Sequence, residues 1–129
     1  MRPWIWIDEY VALALHERVL ALHGGAVGVR DAGLLQSALA RPKHLNTYAP
    51  EADLIDLAAA YTAGILQNHP FVDGNKRTGF VIGVLFLELN GARFTASEAD
   101  ATQVVVDVAA GNLDERGFTA FLRENTTFG

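Results

Sequence analysis

The chain has 129 residues, of which 50% are hydrophobic and 19% charged, and it carries a net charge of −5 without any cysteine. The length predicts a single domain over residues 1–129, and the apolar content excludes a disordered chain. The lack of cysteine excludes disulfide scaffolds, cysteine-ligated metals and cysteine nucleophiles.

Charge and hydropathy also limit the partners. The chain has 10 Lys and Arg against 15 Asp and Glu, whereas a protein that binds nucleic acid usually carries a basic surface. The longest strongly apolar run, 79–87, is shorter than the ~20 residues that a membrane-spanning helix needs. The first residues also lack the long apolar stretch of a signal peptide. We therefore expect a cytoplasmic protein that contacts neither nucleic acid directly nor a membrane.

Capping residues and apolar periods predict six helices. Four of them begin at an aspartate and the fourth in chain order begins at an asparagine. The fifth in chain order begins at Ser97 or Thr95. The predicted ranges are 8–23, 31–41, 53–68, 75–89, 97–110 and 114–124. The second helix is expected to end before Pro42, because proline disfavours helical conformation in the residue that precedes it.

Two segments do not show a helical period. Residues 4–7 alternate aromatic and β-branched side chains, which is typical of a short extended segment. Residues 42–51 contain two prolines and are predicted to form a loop or a small hairpin.

The predicted helix 75–89 is apolar on nearly every side. A helix without a polar face is normally covered by other elements. The expected fold is therefore all-α, a compact bundle of about six to seven helices around a buried central helix 75–89.

The chemistry is concentrated in residues 69–79, His-Pro-Phe-Val-Asp-Gly-Asn-Lys-Arg-Thr-Gly. Lys76 and Arg77 lie in the first turn of the predicted helix, where the helix dipole disfavours cations. A bound phosphate would resolve this conflict, because backbone N–H groups and two cations would then surround an anion. Gly74 would let the backbone approach that anion closely.

The neighbouring side chains suit phosphoryl transfer. Asp73 could hold Mg²⁺ against the phosphate, and His69 could take a proton from an attacking hydroxyl. Asn75 could cap the helix or orient the phosphate, and Phe71 is expected in the core, where it anchors the loop. Taken singly, each of these polar residues could also be an ordinary cap or a solvated surface residue. His16, His23 and His44 share no metal-binding spacing and are predicted to be structural or solvent-exposed.

The segment resembles the signature of the Fic/Doc family, His-x-Phe-x-Asp/Glu-Gly-Asn-x-Arg, and is most similar to the Doc ("death on curing") branch. The stretches 28–42 and 56–61, and Phe86-Leu87 and Asn90-Gly91 after the motif, also read like this branch. The resemblance covers most of the chain, roughly residues 5–125. It implies the toxin of a toxin–antitoxin system. Such a toxin is a protein kinase that uses ATP and Mg²⁺ to phosphorylate a threonine of translation elongation factor Tu and so blocks translation. The resemblance assigns His69 as general base, Asp73 as Mg²⁺ ligand, and Gly74, Asn75, Lys76 and Arg77 as the phosphate cradle.

Two positions depart from the pattern of Fic enzymes that transfer AMP. Lys76 stands where those enzymes have a second glycine, and Phe80 where they have a second arginine. Lysine fills space beside the phosphates, and phenylalanine cannot clamp a phosphate as arginine does. The kinase reaction is therefore preferred. AMP transfer and a catalytically silent antitoxin-binding module are the alternatives.

The resemblance also implies two protein-binding surfaces. Fic proteins hold their target on a flap that pairs with extended backbone, and the segment 42–51, with Lys43 and Tyr48, is the candidate here. Restraint is expected from a separate, Phd-like antitoxin that occupies an apolar groove, whose position the sequence does not locate.

Overall fold

The computed structural model describes residues 3–129. In this part of the chain six helices and two short strands follow one another. Their bounds are α1 Glu9–His23, α2 Ala32–Tyr48, α3 Leu54–Asn68, α4 Asn75–Leu89, β1 Ala92–Phe94, α5 Glu98–Ala109, α6 Glu115–Glu124 and β2 Thr126–Phe128. The predicted all-α class is confirmed, and none of these helices is long and apolar enough to cross a membrane.

Local capping explains where the helices begin. The side chains of Asp8, Asp31, Asp53, Ser97 and Asp114 each accept a hydrogen bond from the backbone N–H three residues later. Helix α4 is different, because its N-cap is Gly74 and no side chain caps it. The first turn of α4 therefore keeps N–H groups without a side-chain partner.

Helices α3 and α4 pack closely because small residues lie between them. The hydroxyl of Thr62 donates to the carbonyl of Gly79 at 2.8 Å. A Cβ atom at Gly83 would clash with the Thr62 hydroxyl and lie 3.0 Å from the carbonyl of Ala58. Helix α4 is central as predicted, but α3 is the more completely buried of the two. The pairing places the C-terminus of α3 beside the N-terminus of α4.

The prediction of a loop at 42–51 is wrong, because α2 continues through Pro42 to Tyr48. Proline removes one helical hydrogen bond, to the carbonyl of Ala38. Pro42 is nevertheless buried with Leu35, Ala38 and Leu39 on the side of α2 that faces the core. Burial of this apolar stripe outweighs the local preference. Only residues 49–53 remain to connect α2 with α3.

Lys43 and Tyr48 therefore lie on a helix. The side chain of Asn68 donates to the carbonyl of Leu34 at 2.9 Å, so the start of α2 lies beside the end of α3. The last turn of α2 is at the other end of α3, about 22 Å away for a helix of 15 residues. The ammonium group of Lys43, which lies before that turn, is 5.9 Å from the centre of the Trp6 ring, and Tyr48, which lies in the turn, is 84% exposed. The target-binding flap predicted at Lys43 and Tyr48 is therefore not present as a loop, because both residues belong to α2.

The N-terminal segment and the strands complete the bundle. Trp6 stacks on Phe86 of α4 with ring centres 5.6 Å apart, and residues 4–7 join no strand of the described chain. Strands β1 and β2 pair antiparallel, with Arg93 opposite Thr127. Neither strand is predicted from the sequence, because each is only three residues long and its partner is distant in sequence.

Candidate functional site

His69 ends helix α3 in a left-handed conformation, with φ 53° and ψ 53°. Among the described residues it is the one non-glycine residue with positive φ, a conformation that is uncommon outside glycine. Arg30 stabilises this turn, because its guanidinium donates to the carbonyls of His69 at 2.8 Å and Asn68 at 2.9 Å. The ring of His69 remains exposed to solvent.

The loop between α3 and α4 is anchored by Phe71, which is completely buried as predicted. The side-chain oxygen of Asn75 accepts from the N–H of Phe71, and its side-chain nitrogen donates to the carbonyl of Phe71, both at 3.0 Å. These two backbone contacts determine which end of the amide is oxygen. Asn75 is 3% exposed, so its side chain faces the loop interior and neither caps α4 nor lies in an open cradle.

The orientation of Asn75 determines the state of His69. The Nδ2 atom of Asn75 lies 3.1 Å from Nδ1 of His69 and can only donate a hydrogen bond. Nδ1 therefore accepts, and the neutral ring carries its proton on Nε2.

The start of α4 gathers the charged residues of the motif. The carboxylate of Asp73 accepts from the N–H of Gly74 at 2.9 Å and from the N–H of Ala26 at 3.1 Å. The hydrogen bonds from Ala26 and Gly74 hold the pKa of Asp73 below its usual value, because they favour the ionised form. Lys76 and Arg77 are both exposed on the first turn of the helix.

The residues suit a magnesium ion that arrives with phosphate. No group of three or more His, Cys, Asp or Glu residues in 3–129 could form a metal site from protein side chains alone. Mg²⁺ commonly takes one or two carboxylates together with substrate phosphate oxygens. Asp73 is exposed and ionised at the uncapped helix end, which fits that arrangement.

Two residues outside the predicted site contact its loop. His16, predicted to be structural or exposed, is buried, and its Nε2 donates to the carbonyl of Asp73 at 2.8 Å. The second is Arg30, at the turn of His69. Neither contact leaves a local signal in the sequence, because the partners are 57 and 39 residues apart.

A non-helical segment, 26–30, with bends at Gly28 and Arg30, lies along the motif loop. Val29 pairs with Phe71 as an antiparallel bridge. The hydrogen bonds run from the N–H of Arg30 to Pro70 and from the N–H of Val72 to Gly28. In this type of antiparallel pair, the N–H and C=O of the paired residue point away from its partner. The N–H and C=O of Val29 therefore point away from Phe71. Within residues 3–129 no backbone group bonds those of Val29, so this edge is open.

An apolar groove of about 580 Å³ begins at the same helix end. Its walls come from α1, α4, β1 and α5, and its apolar residues include Leu15, Val19, Phe80, Phe94 and Val105. Arg18, His23, Lys76 and Arg77 contribute its basic groups, against one acidic residue, Glu98. The side chain of Arg77 donates to the ring of His23 at 3.4 Å.

The chain is similar in sequence to known proteins. The model of the Fic/DOC family matches residues 6–87. Toxin Doc of Mycolicibacterium smegmatis is 44% identical over 75 residues, which cover 57% of this chain and 57% of that protein. Protein kinase doc of Escherichia phage P1 is 29% identical over 111 residues, or 86% of this chain and 87% of the phage protein. The chain therefore spans little more than half of the first relative and most of the second. With the family pattern extending over most of its helices and through the motif loop, this chain belongs to the Fic/DOC family.

Proposed function

We propose that this protein is the toxin of a toxin–antitoxin system and a protein kinase, which transfers the γ-phosphate of ATP to a threonine of elongation factor Tu. The arrangement of the loop 69–77 carries the proposal. His69, the carboxylate of Asp73 and two exposed cations, Lys76 and Arg77, lie around one uncapped helix end. The name of the phage relative, a protein kinase, supports the same reaction.

Each residue of the site would have a separate role in the transfer of phosphate. The N–H groups of the first turn of α4, with Lys76 and Arg77, bind the phosphates of ATP. Asp73 would hold Mg²⁺, which neutralises charge that develops on the phosphate oxygens. The threonine oxygen forms a bond to the γ-phosphorus, its proton passes to His69, and the bond to the β–γ bridging oxygen breaks to release ADP. Because Asn75 already donates to Nδ1 of His69, proton uptake at that atom requires this hydrogen bond to open.

Position 80 favours γ-phosphate transfer over AMP transfer. Phe80 contacts Phe94 edge-on, with ring centres 5.4 Å apart, and forms part of the groove wall. The position therefore contributes an apolar contact in place of a second phosphate clamp.

Labelled ATP distinguishes the two reactions. Purified protein, Mg²⁺ and elongation factor Tu would be incubated with ATP labelled on either the γ- or the α-phosphate. The proposal predicts γ-label on the target and the mass increase of one phosphate. It also predicts loss of activity in His69→Ala, with full activity in the control His44→Ala, since His44 is exposed near the far end of α2. Transfer of the α-label, or an AMP-sized mass increase, would show that the protein is an adenylyltransferase.

The open edge at Val29 suits the target protein. An extended target segment could pair with the N–H and C=O of Val29 and bring its hydroxyl beside His69. Val29→Pro removes the N–H and should raise KM for the target without changing affinity for ATP, whereas Val29→Ala keeps the N–H and should have little effect. Equal KM values in the two variants would exclude pairing through this N–H.

The apolar groove suits an antitoxin. Its apolar walls and basic groups are complementary to an amphipathic helix with acidic residues. Val106 lines the groove and is 44% exposed, so Val106→Asp should leave the fold intact and prevent neutralisation by the co-expressed antitoxin. Tyr48→Asp, on the exposed far end of α2, is the control and should still be neutralised.

A growth assay addresses the remaining alternative, a silent antitoxin-binding module. Expressed without antitoxin, the wild-type chain should stop growth and the His69→Ala variant should not. Equal, harmless expression of both would favour the silent module.

A further inference from the structure

His16 of α1 contacts the motif loop in two ways. Its ring stacks on the ring of Phe71, with centres 3.9 Å apart and planes 9° from parallel. Its Nε2 atom donates to the carbonyl oxygen of Asp73 at 2.8 Å. The imidazole is 4% exposed, which makes it a buried polar side chain directly behind the loop.

The hydrogen bond sets the orientation of one peptide. The C=O of Asp73 and the N–H of Gly74 belong to the same planar trans unit, so they point in opposite directions. Because the C=O points inward to His16, the N–H of Gly74 points away from α1 and is bound by the Asp73 carboxylate at 2.9 Å. The same peptide therefore positions both the carboxylate and the first N–H group before α4.

The conformation of Gly74 makes this peptide dependent on outside support. Gly74 has φ 77° and ψ 16°, and glycine has wide conformational freedom in this region. No side chain caps α4 at this point. A Cβ atom added to Gly74 would lie 3.3 Å from Cδ2 of Leu20 and 3.7 Å from Cδ2 and Nε2 of His16, so the imidazole and Leu20 together form the surface against which this turn packs.

We infer that His16 is a positioning residue for the phosphate-binding end of α4, acting through its hydrogen bond to the Asp73 carbonyl. It orients the Asp73–Gly74 peptide and so holds the Asp73 carboxylate, which accepts from the N–H of Gly74, at the phosphate-binding end of α4. Its effect on nucleotide rests on the proposed kinase function, whereas its effect on the loop does not.

Two variants separate the hydrogen bond from the ring contact. His16→Phe keeps an aromatic ring against Phe71 and removes the donor. His16→Gln removes the ring and keeps an N–H donor with similar reach. His44→Phe, on the exposed surface of α2, is the control for the histidine-to-phenylalanine change. His16→Leu repeats the loss of the donor with a smaller side chain, should His16→Phe fail to fold.

The first measurement uses the protein without ligand. Amide hydrogen exchange and the NMR signal of the Gly74 N–H report on the loop. We expect His16→Phe and His16→Leu to shift this signal and to accelerate exchange at Gly74, and His16→Gln and His44→Phe to resemble the wild type. An unchanged Gly74 signal in His16→Phe, or an equal change in His16→Gln, would overturn the inference. This arm does not depend on any activity.

The second measurement is the affinity for Mg²⁺ with a non-hydrolysable ATP analogue, by calorimetry. Loss of a residue that orients a metal ligand typically weakens binding about 10-fold or more. We expect about that loss in His16→Phe and a loss below about 3-fold in His16→Gln. Equal losses in both would overturn the inference. If the wild-type protein did not bind the analogue, the kinase proposal would fail, and the hydrogen-exchange arm would still decide the role of His16.

Discussion

Replacement of Asn75 by alanine should destabilise the protein strongly, although the residue belongs to the proposed site. Its amide is the partner of both the N–H and the C=O of Phe71, each at 3.0 Å. Phe71 is completely buried, so water cannot easily replace either bond. An orphaned buried polar group costs about 1–3 kcal/mol, so two of them predict a loss of about 2–6 kcal/mol in the free energy of unfolding.

Urea unfolding, followed by circular dichroism, measures this loss. The control is Asn112→Ala, since Asn112 is exposed and a change below about 0.5 kcal/mol is expected there. A loss below about 1 kcal/mol in Asn75→Ala would refute the argument that this amide holds the loop.

Asn75→Asp tests the second part of the same reasoning. A carboxylate still accepts from the Phe71 N–H but cannot donate to Nδ1 of His69. The ring proton of His69 should then move from Nε2 to Nδ1, which ¹⁵N NMR of the imidazole detects. The wild-type tautomer retained in Asn75→Asp would show that Asn75 does not determine it.

Three further substitutions test the contact between α3 and α4, the carboxylate of Asp73 and the turn at His69. Gly83→Ala should lower the free energy of unfolding by about 1–3 kcal/mol in urea, because its new Cβ would clash with the Thr62 hydroxyl. The folded-state pKa of Asp73 is lowered, so its contribution to stability is present above the ordinary value of 3.8 and is lost as the pH falls. Unfolding measured against pH should therefore lose part of its acid dependence in Asp73→Asn. Arg30→Met should lower kcat about 10- to 100-fold with little change in helix content, because the turn that presents His69 loses its guanidinium; kinase activity equal to that of the wild type would contradict this role.

Much of the local structure could be predicted from the sequence. Asp8, Asp53 and Asp114 cap helices at the expected positions, and α4 spans the predicted range. These features depend on interactions between residues three or four apart, which a sequence displays directly. The motif 69–79 likewise consists of contiguous residues, and so do the stretches that carry the family resemblance.

Other features depend on contacts between residues that are distant in sequence, and only the tertiary structure shows them. Pro42 continues α2 because its apolar face is buried in the core, contrary to the local preference of the residue that precedes it. The open backbone edge at Val29 exists only because this residue pairs with Phe71. His16 and the Asp73 carbonyl meet only after the chain has folded. In each case the energy comes from burial or from a hydrogen bond across dozens of residues, and no short sequence pattern specifies such a contact.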